Sequence, residues 1–283
     1  MIKFPVRYIN GNYMVTIYDD GTKIRVTPDN HFNSTRVETL DINISNYCKN
    51  NCNFCFINAS ILGRHCELNV LRKMQIPYYT EIAINFAEHP QFEEILKIFK
   101  EKRCILNITI HQKDLIKYHE KIFEYQKNKL IYGVGVSISE YSSELNKIIQ
   151  GRKNPLLHVI AGITSLKEIE KFKNQKYNLL ILGFKNKGKG KNVVPNLNEY
   201  INNYKNLRDW FKIISYDNLA IEQLNIKNFI TKEEWDSYYM GNEGNASFYI
   251  DLVNNTFAKS SLEETCYPIK QLTIKEMFKY VKN

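Results

Sequence analysis

From about residue 38 onward, short apolar runs of strand character alternate with longer stretches in which apolar residues recur at helical spacing. The expected strands are TLDINI, EIAINFA, CILNITI, IYGVGVSI, LLHVIAGI, NLLILGF and FKIISYD. Between them, HPQFEEILKIFKEK, QKDLIKYHEKIFEYQKN, TSLKEIEKFKN and NLNEYINNYKNLRDWFK carry the helical period. Strand followed by helix, repeated about six times, predicts parallel strands joined by right-handed crossovers, hence an α/β fold built as a partial or full parallel (βα) barrel. Ahead of it, NYMVTIY and TKIRVTP alternate around the Asp-Gly of DDG and predict a β-hairpin. Behind it, GNEGNASFYIDLVNNTFAKSS reads as another hairpin and TIKEMFKYVKN as a closing helix. The expected organisation is an N-terminal hairpin extension over 1–37, a barrel core over 38–216, and a small α+β extension over 217–283 that caps the barrel or covers a substrate.

Composition narrows the class. With 283 residues, 43% hydrophobic and 24% charged, the chain can fill one barrel-sized core. No apolar run approaches the roughly 18 residues of a membrane span. The start, MIKFPVRYINGNY, lacks the apolar centre and cleavage site of a secretory signal, so the expected location is cytoplasmic, with no membrane partner. Six cysteines are too few for a disulfide scaffold in a chain this long, and half of them are bunched, which fits a reducing compartment. The net charge of +9 fits either a phosphate-bearing partner or lysines on solvated helix faces.

The bunched cysteines lie in SNYCKNNCNFCFIN, residues 45–58, as Cys48-x3-Cys52-x2-Cys55 in the loop after the first core strand. In a βα barrel, chemistry gathers on such loops. Thiolates select zinc, copper(I) or iron–sulfur clusters. Structural zinc takes four ligands, so His65 or Cys66, both inside the expected helix NASILGRHCELNVLRKM, would have to complete the set. A cubane [4Fe–4S] cluster on three cysteines instead leaves one iron open to a small molecule. Cys104 begins an apolar strand and reads as a buried hydrophobe, while Cys66 and Cys266 are lone thiols, so a single cluster is expected.

This spacing, with Phe54 before the last cysteine and its place after the first strand, resembles the radical S-adenosylmethionine (SAM) superfamily. The stretches GVGVSIS, LILGFK and FYIDLVNNTFA also resemble uncharacterised members from bacteria and their phages, a resemblance that names no substrate. The resemblance implies a [4Fe–4S] cluster on Cys48, Cys52 and Cys55 whose open iron chelates SAM. It further implies reductive cleavage of SAM to a 5′-deoxyadenosyl radical that abstracts hydrogen from a substrate, with an electron donor such as flavodoxin or ferredoxin. Phe54 would pack beside the adenine, and Phe56 would belong to the core. The family's GGEP-like stretch is replaced by NFAEHP, where Glu88 either holds the SAM amino group or caps the helix after Pro90. HVIAGI partly matches the family's Gly-x-Ile-x-Gly through Ile160 and Gly162, with His158 in place of the first glycine, and such a stretch would contact adenine through its backbone. Asn107 and Ser137, near the ends of the third and fourth strands, either meet the ribose or carboxylate of SAM or tie down loops.

LGFKNKGKGK, residues 182–191, offers Lys185, Lys187, Lys189 and Lys191 between glycines, either as a phosphate or carboxylate site or as a solvated turn. Asp217, Asn218 and Glu222 follow the last core strand, and Asp217 or Asn218 suits a helix N-cap. A peptide is the first substrate expectation, since the tail hairpin resembles those of peptide-modifying radical SAM enzymes. A nucleotide or RNA is the second, from the basic charge and the lysine loop. The rival class is a non-catalytic barrel that holds zinc on the three thiolates and His65 and binds nucleic acid through its basic surface.

Overall fold

The computed structural model describes residues 2–29, 31–239 and 241–282. The first element is a three-stranded antiparallel sheet, β1 (Val6–Asn10), β2 (Tyr13–Ile17) and β3 (Lys23–Val26). It contains the expected hairpin and one strand more. The turn Gly11-Asn12, a hairpin signal left out of that expectation, joins VRYIN to β2, and the two pair along their whole length.

The main sheet contains β4 (Thr39–Asn43), β5 (Glu81–Asn85), β6 (Ile105–His111), β7 (Gly133–Ser137), β8 (Leu156–Ile160), β9 (Asn178–Leu182) and β10 (Ile213–Tyr216). Each lies parallel to the next in the order of the sequence. The crossovers carry α1 (Leu68–Lys73), α2 (Phe92–Glu101), α3 (Gln112–Lys127), α4 (Ser143–Ile149), α5 (Leu166–Glu170), and the pair α6 (Leu197–Asn202) and α7 (Tyr204–Trp210). After β10 come α8 (Asn218–Gln223) and α9 (Lys232–Tyr238), then β11 (Ser247–Asp251), β12 (Thr256–Ala258), β13 (Tyr267–Pro268) and α10 (Ile274–Lys282). The tail hairpin is continuous with the main sheet: β11 pairs parallel with β4 on its free edge, and β12 and β13 continue outward antiparallel.

Alternation along the strands separates two faces. Leu40, Ile42, Ile82, Ile84, Ile108, Val136, Leu157, Val159, Leu179 and Ile181 are buried in the core between sheet and helices. The residues between them, such as Asp41, Asn85, Asn107, Thr109, Ser137 and His158, belong to the other face, and the register aligns them from strand to strand. This inner face is polar on β4 to β6 and largely apolar on β8 and β9, and the sheet curls around it. Asp41 on β4 and Asp217 at the end of β10 are six strands apart in the sheet order, roughly 29 Å if it were flat. The charge of Asp217 nevertheless raises the Asp41 carboxyl. The loop after β9 also bonds the loop after β4, Lys189 N donating to Cys55 O at 3.0 Å.

The N-terminal sheet covers the opposite end of the strands. Val6, Tyr13, Val15 and Ile17 pack with Ile105 at the start of β6, Lys23 pairs with Glu81 at the start of β5, and Lys153 before β8 pairs with Asp19 at 3.1 Å. Glu38 sits fully buried in this join, where it accepts from Arg25 Nη2 at 2.7 Å, from Asn10 Nδ2 at 2.9 Å and from the Tyr13 hydroxyl. Among the described residues no helix is long and apolar enough to cross a membrane.

Candidate functional site

The cysteine loop departs from the expected helix. Only Leu68–Lys73 of NASILGRHCELNVLRKM is helical. Residues 60–66 instead run back along the end of β4, with Asn46 N donating to Arg64 O at 2.9 Å, Cys66 N to Ile44 O at 2.9 Å and Cys48 N to Ser60 O at 3.0 Å. Gly63 permits this return, since a side chain there would collide with the Asn46 carbonyl. The three cysteines thereby occupy the tip of a clamped loop above the C-terminal ends of the strands. Asn51 and Asn58 take left-handed conformations at φ 49° and 54°, which shapes the tip around Cys52 and Cys55.

Cys48, Cys52 and Cys55 are free and half-buried. Burial raises the Cys52 thiol pKa, and the neighbouring Cys48 and Cys55 raise it further. Ala59 N donates to Cys55 Sγ at 3.4 Å. The donor set is therefore three adjacent soft ligands, which suits an iron–sulfur cluster. Among the described residues no three metal-binding side chains already converge on one point. Neither fourth zinc ligand is directed to the thiols. His65 Nδ1 is 2.9 Å from Ser45 Oγ and its ring lies against Tyr47 and His89. Cys66 is buried beside His89 Nε2, and burial pushes its thiol up to about 11. Cys104 is buried as expected and pushed up to about 12.

The lysine–glycine loop forms a strap over the cysteine loop. Lys189 Nζ donates to Asn51 Oδ1 at 2.8 Å and Ala59 O at 2.7 Å, spanning the cysteine tip. Lys187 Nζ reaches Ser261 O at 3.2 Å and Glu263 O at 3.0 Å in the tail, and Lys185 Nζ reaches Ser261 Oγ at 2.6 Å. Three of the four ammonium groups are thus bound to protein oxygens, and Lys191 is exposed. Gly188, at φ +60°, passes so close that a Cβ would stand 2.5 Å from the Phe56 carbonyl. Phe56 is half-buried with Lys185 Nζ 4.2 Å above its ring, so it lines the site and does not belong to the core. A cleft of about 610 Å³ opens between the two loops and the tail, lined by Phe56, Lys187, Gly188, Tyr249, Asp251 and Cys266 among others.

The other sequence-selected residues are scattered. Phe54 is half-buried in the cysteine loop, its carbonyl against Gly190. Glu88 lies between α2 and α3 and pairs with Lys49 at 2.5 Å, with Lys117 at 3.3 Å and with the Tyr118 hydroxyl. These partners, Lys49 first, pull its carboxyl down to about 2. It therefore bridges the cysteine loop to α3 and does not cap α2, whose N-cap is Gln91. Asn107 is the third residue of β6, low on the inner face, where it borders a separate cavity beside the N-terminal sheet. Ser137 ends β7 and pairs in register with His158. Ile160 ends β8, and Gly162 follows at φ +74° with Pro195 and Asn196 packed against it, so its backbone is occupied by the chain itself. Asp217 caps α8, accepting from Ala220 N at 2.7 Å and Gly183 N at 2.8 Å.

Sequence reasoning missed a titratable group inside the curl. Desolvation raises the Asp41, Asp217 and Glu243 carboxyls, although the Asp41 side chain stays exposed on the inner face; Lys185 pulls each back, and Asp41 and Asp217 both raise Glu243. Tyr249, the register partner of Asp41, joins this group. Asp217 and Lys185 were singled out for other roles, and the further signal was Asp41, a charge at the centre of an apolar strand run. No protein-family model and no curated protein matches this sequence.

Proposed function

We propose that this chain is a radical SAM enzyme whose curled sheet is an incomplete (βα) barrel, with its chemistry at the C-terminal ends of the strands. The observation that carries the reading is the triple-cysteine loop: three free thiols at Cys-x3-Cys-x2-Cys spacing, with Cys52 within electrostatic reach of the other two, after the first strand of the parallel sheet. Cys48, Cys52 and Cys55 would hold a [4Fe–4S] cluster. Such a cluster, when bound, supplies the electron for reductive cleavage of SAM to methionine and a 5′-deoxyadenosyl radical.

The chain's own residues supply position and shielding. Lys189 and Gly188 fix the cysteine tip, Glu88 fixes its near end through Lys49, and the Lys185 and Lys187 contacts draw the tail over the site. The polar inner face and the adjoining cleft give a substrate room to approach. A peptide is the first substrate class. Three of the four lysines that suggested a phosphate, Lys185, Lys187 and Lys189, are occupied by protein oxygens, which weakens the nucleotide alternative. A cytoplasmic location and an electron donor such as flavodoxin or ferredoxin belong to the same reading.

The test is anaerobic purification, reconstitution with iron and sulfide, reduction with dithionite, and mass spectrometry for 5′-deoxyadenosine formed from SAM. Cysteine-dependent formation supports the enzyme. A colourless protein that takes up zinc and no iron overturns it in favour of the zinc module.

A further inference from the structure

At the end of the strands opposite the cysteines, a cavity of about 440 Å³ lies between the β2–β3 turn, the N-terminal ends of β6 to β8, α3 and α4. Its inner wall is apolar, with Ile17, Leu115, Phe123, Ile131, Val136 and Leu156 lining it. Charged residues form its mouth, and the carboxylates among them are already engaged. Asp19 pairs with Lys153 at 3.1 Å, Asp20 Oδ1 accepts from Thr22 N at 3.0 Å beside Lys153, and Glu81 pairs with Lys23. The other lining cations, Lys127, Lys129 and Arg152, have no carboxylate partner among the described residues. Arg152 is the one held in place. Its guanidinium carbon lies 3.6 Å from the centre of the Phe123 ring, and its Nε meets Ile148 O at 3.5 Å. Neither Nη group bonds a protein oxygen among the described residues, so the planar fork can give two parallel hydrogen bonds to a carboxylate. A stacked guanidinium at the mouth of an apolar cavity matches a ligand with one charged end and a hydrophobic body.

We infer that this cavity binds a monocarboxylate with an apolar chain, its carboxylate held by Arg152 and its chain laid against Ile17, Leu115 and Val136. Asp19 and Asp20 stand at the same mouth, so a singly charged head suits it better than a doubly charged phosphate. The site lies at the far end of the strands from Cys48, Cys52 and Cys55 and needs no iron. It therefore goes beyond the radical SAM reading and does not depend on it.

The experiment is isothermal titration calorimetry of the full-length chain, without added iron, against butanoate, hexanoate, octanoate, octanol and octyl phosphate. Saturable binding of the alkanoates that tightens about 4-fold for each added methylene is expected, with octanol well behind octanoate. Arg152→Gln is expected to weaken octanoate roughly 10-fold or more, the worth of a charged hydrogen bond, and to leave octanol unchanged. Val134→Phe puts a larger side chain into the cavity wall and is expected to abolish binding of both. The inference is overturned by the absence of saturable binding, by an Arg152→Gln variant that holds octanoate as tightly as the parent, or by a folded Val134→Phe variant that still binds. Octyl phosphate binding more tightly than octanoate would overturn the choice of head group. If Val134→Phe does not fold, the Arg152→Gln comparison of octanoate with octanol decides alone.

Discussion

Cys52 and Glu38 show how differently single residues act at the two ends of the strands. Cys52→Ala is expected to lose bound iron and all SAM cleavage while the far-UV circular dichroism stays unchanged, because the thiol lies in a loop that other contacts hold. Iron determination and the 5′-deoxyadenosine assay check this, and a full cluster in the variant would refute the ligand assignment. Glu38 acts on stability. Desolvation pushes its carboxyl up, but Arg25 and Lys23 outweigh it and the pKa is lowered. Glu38→Ala leaves those cations facing a buried gap and is expected to cost about 3–5 kcal/mol. A lowered carboxylate pKa stabilises the fold above the ordinary carboxylate range and loses that stabilisation as pH falls through it. The melting-temperature gap between parent and Glu38→Ala should therefore be wide at pH 7 and narrow by pH 3. The bunching of the three cysteines in a loop after the first core strand was legible from spacing and pattern. Asp41 and Glu243 were not, because their meaning depends on neighbours that the curl brings from distant strands.

Elements were legible wherever alternation was strong. Six of the seven core strands lie within their expected runs and β6 runs one residue past its own, to His111, since one face of each is buried in the core. Helices were less legible where backbone bonding to a strand competes with helical period, as in residues 60–66 beside β4, and where a chain reversal interrupts the pattern, as at Asn203 between α6 and α7. The lysine–glycine loop read as a surface turn or an anion site, because nothing in its sequence names the carbonyls it binds. Gly188→Ala tests its role as a strap. The left-handed conformation alone costs about 1–2 kcal/mol with a side chain, and the Cβ meets the Phe56 carbonyl at 2.5 Å, so the strap must lift. Reconstituted Gly188→Ala is expected to lose iron to a chelator several-fold faster than the parent, with absorbance bleaching as the readout. An equal rate would show that the strap does not hold the cysteine tip.

At the scale of the molecule, the tail is part of the sheet that carries the cysteines. Phe248, Ile250, Phe257, Met277 and Phe278 are all buried. At about 1.5–3 kcal/mol each, these five side chains represent on the order of 10 kcal/mol, comparable with the whole stability of an ordinary domain. A chain ending before residue 246 is therefore expected to be insoluble or rapidly digested in limited proteolysis, and a stable, protease-resistant core would show that β11 is dispensable.

The pairing of β11 with β4 also has a consequence in time. Every other parallel pair in the sheet joins neighbours in the sequence, but Asn43 and Asp251 are 208 residues apart. At a synthesis rate of about 5–20 residues per second, that separation is roughly 10–40 s on the ribosome. The strand at the base of the cysteine loop is made early and secured late. During that interval its outer edge is open to pairing with other nascent chains, so protection of this edge during translation governs how much chain reaches the native state.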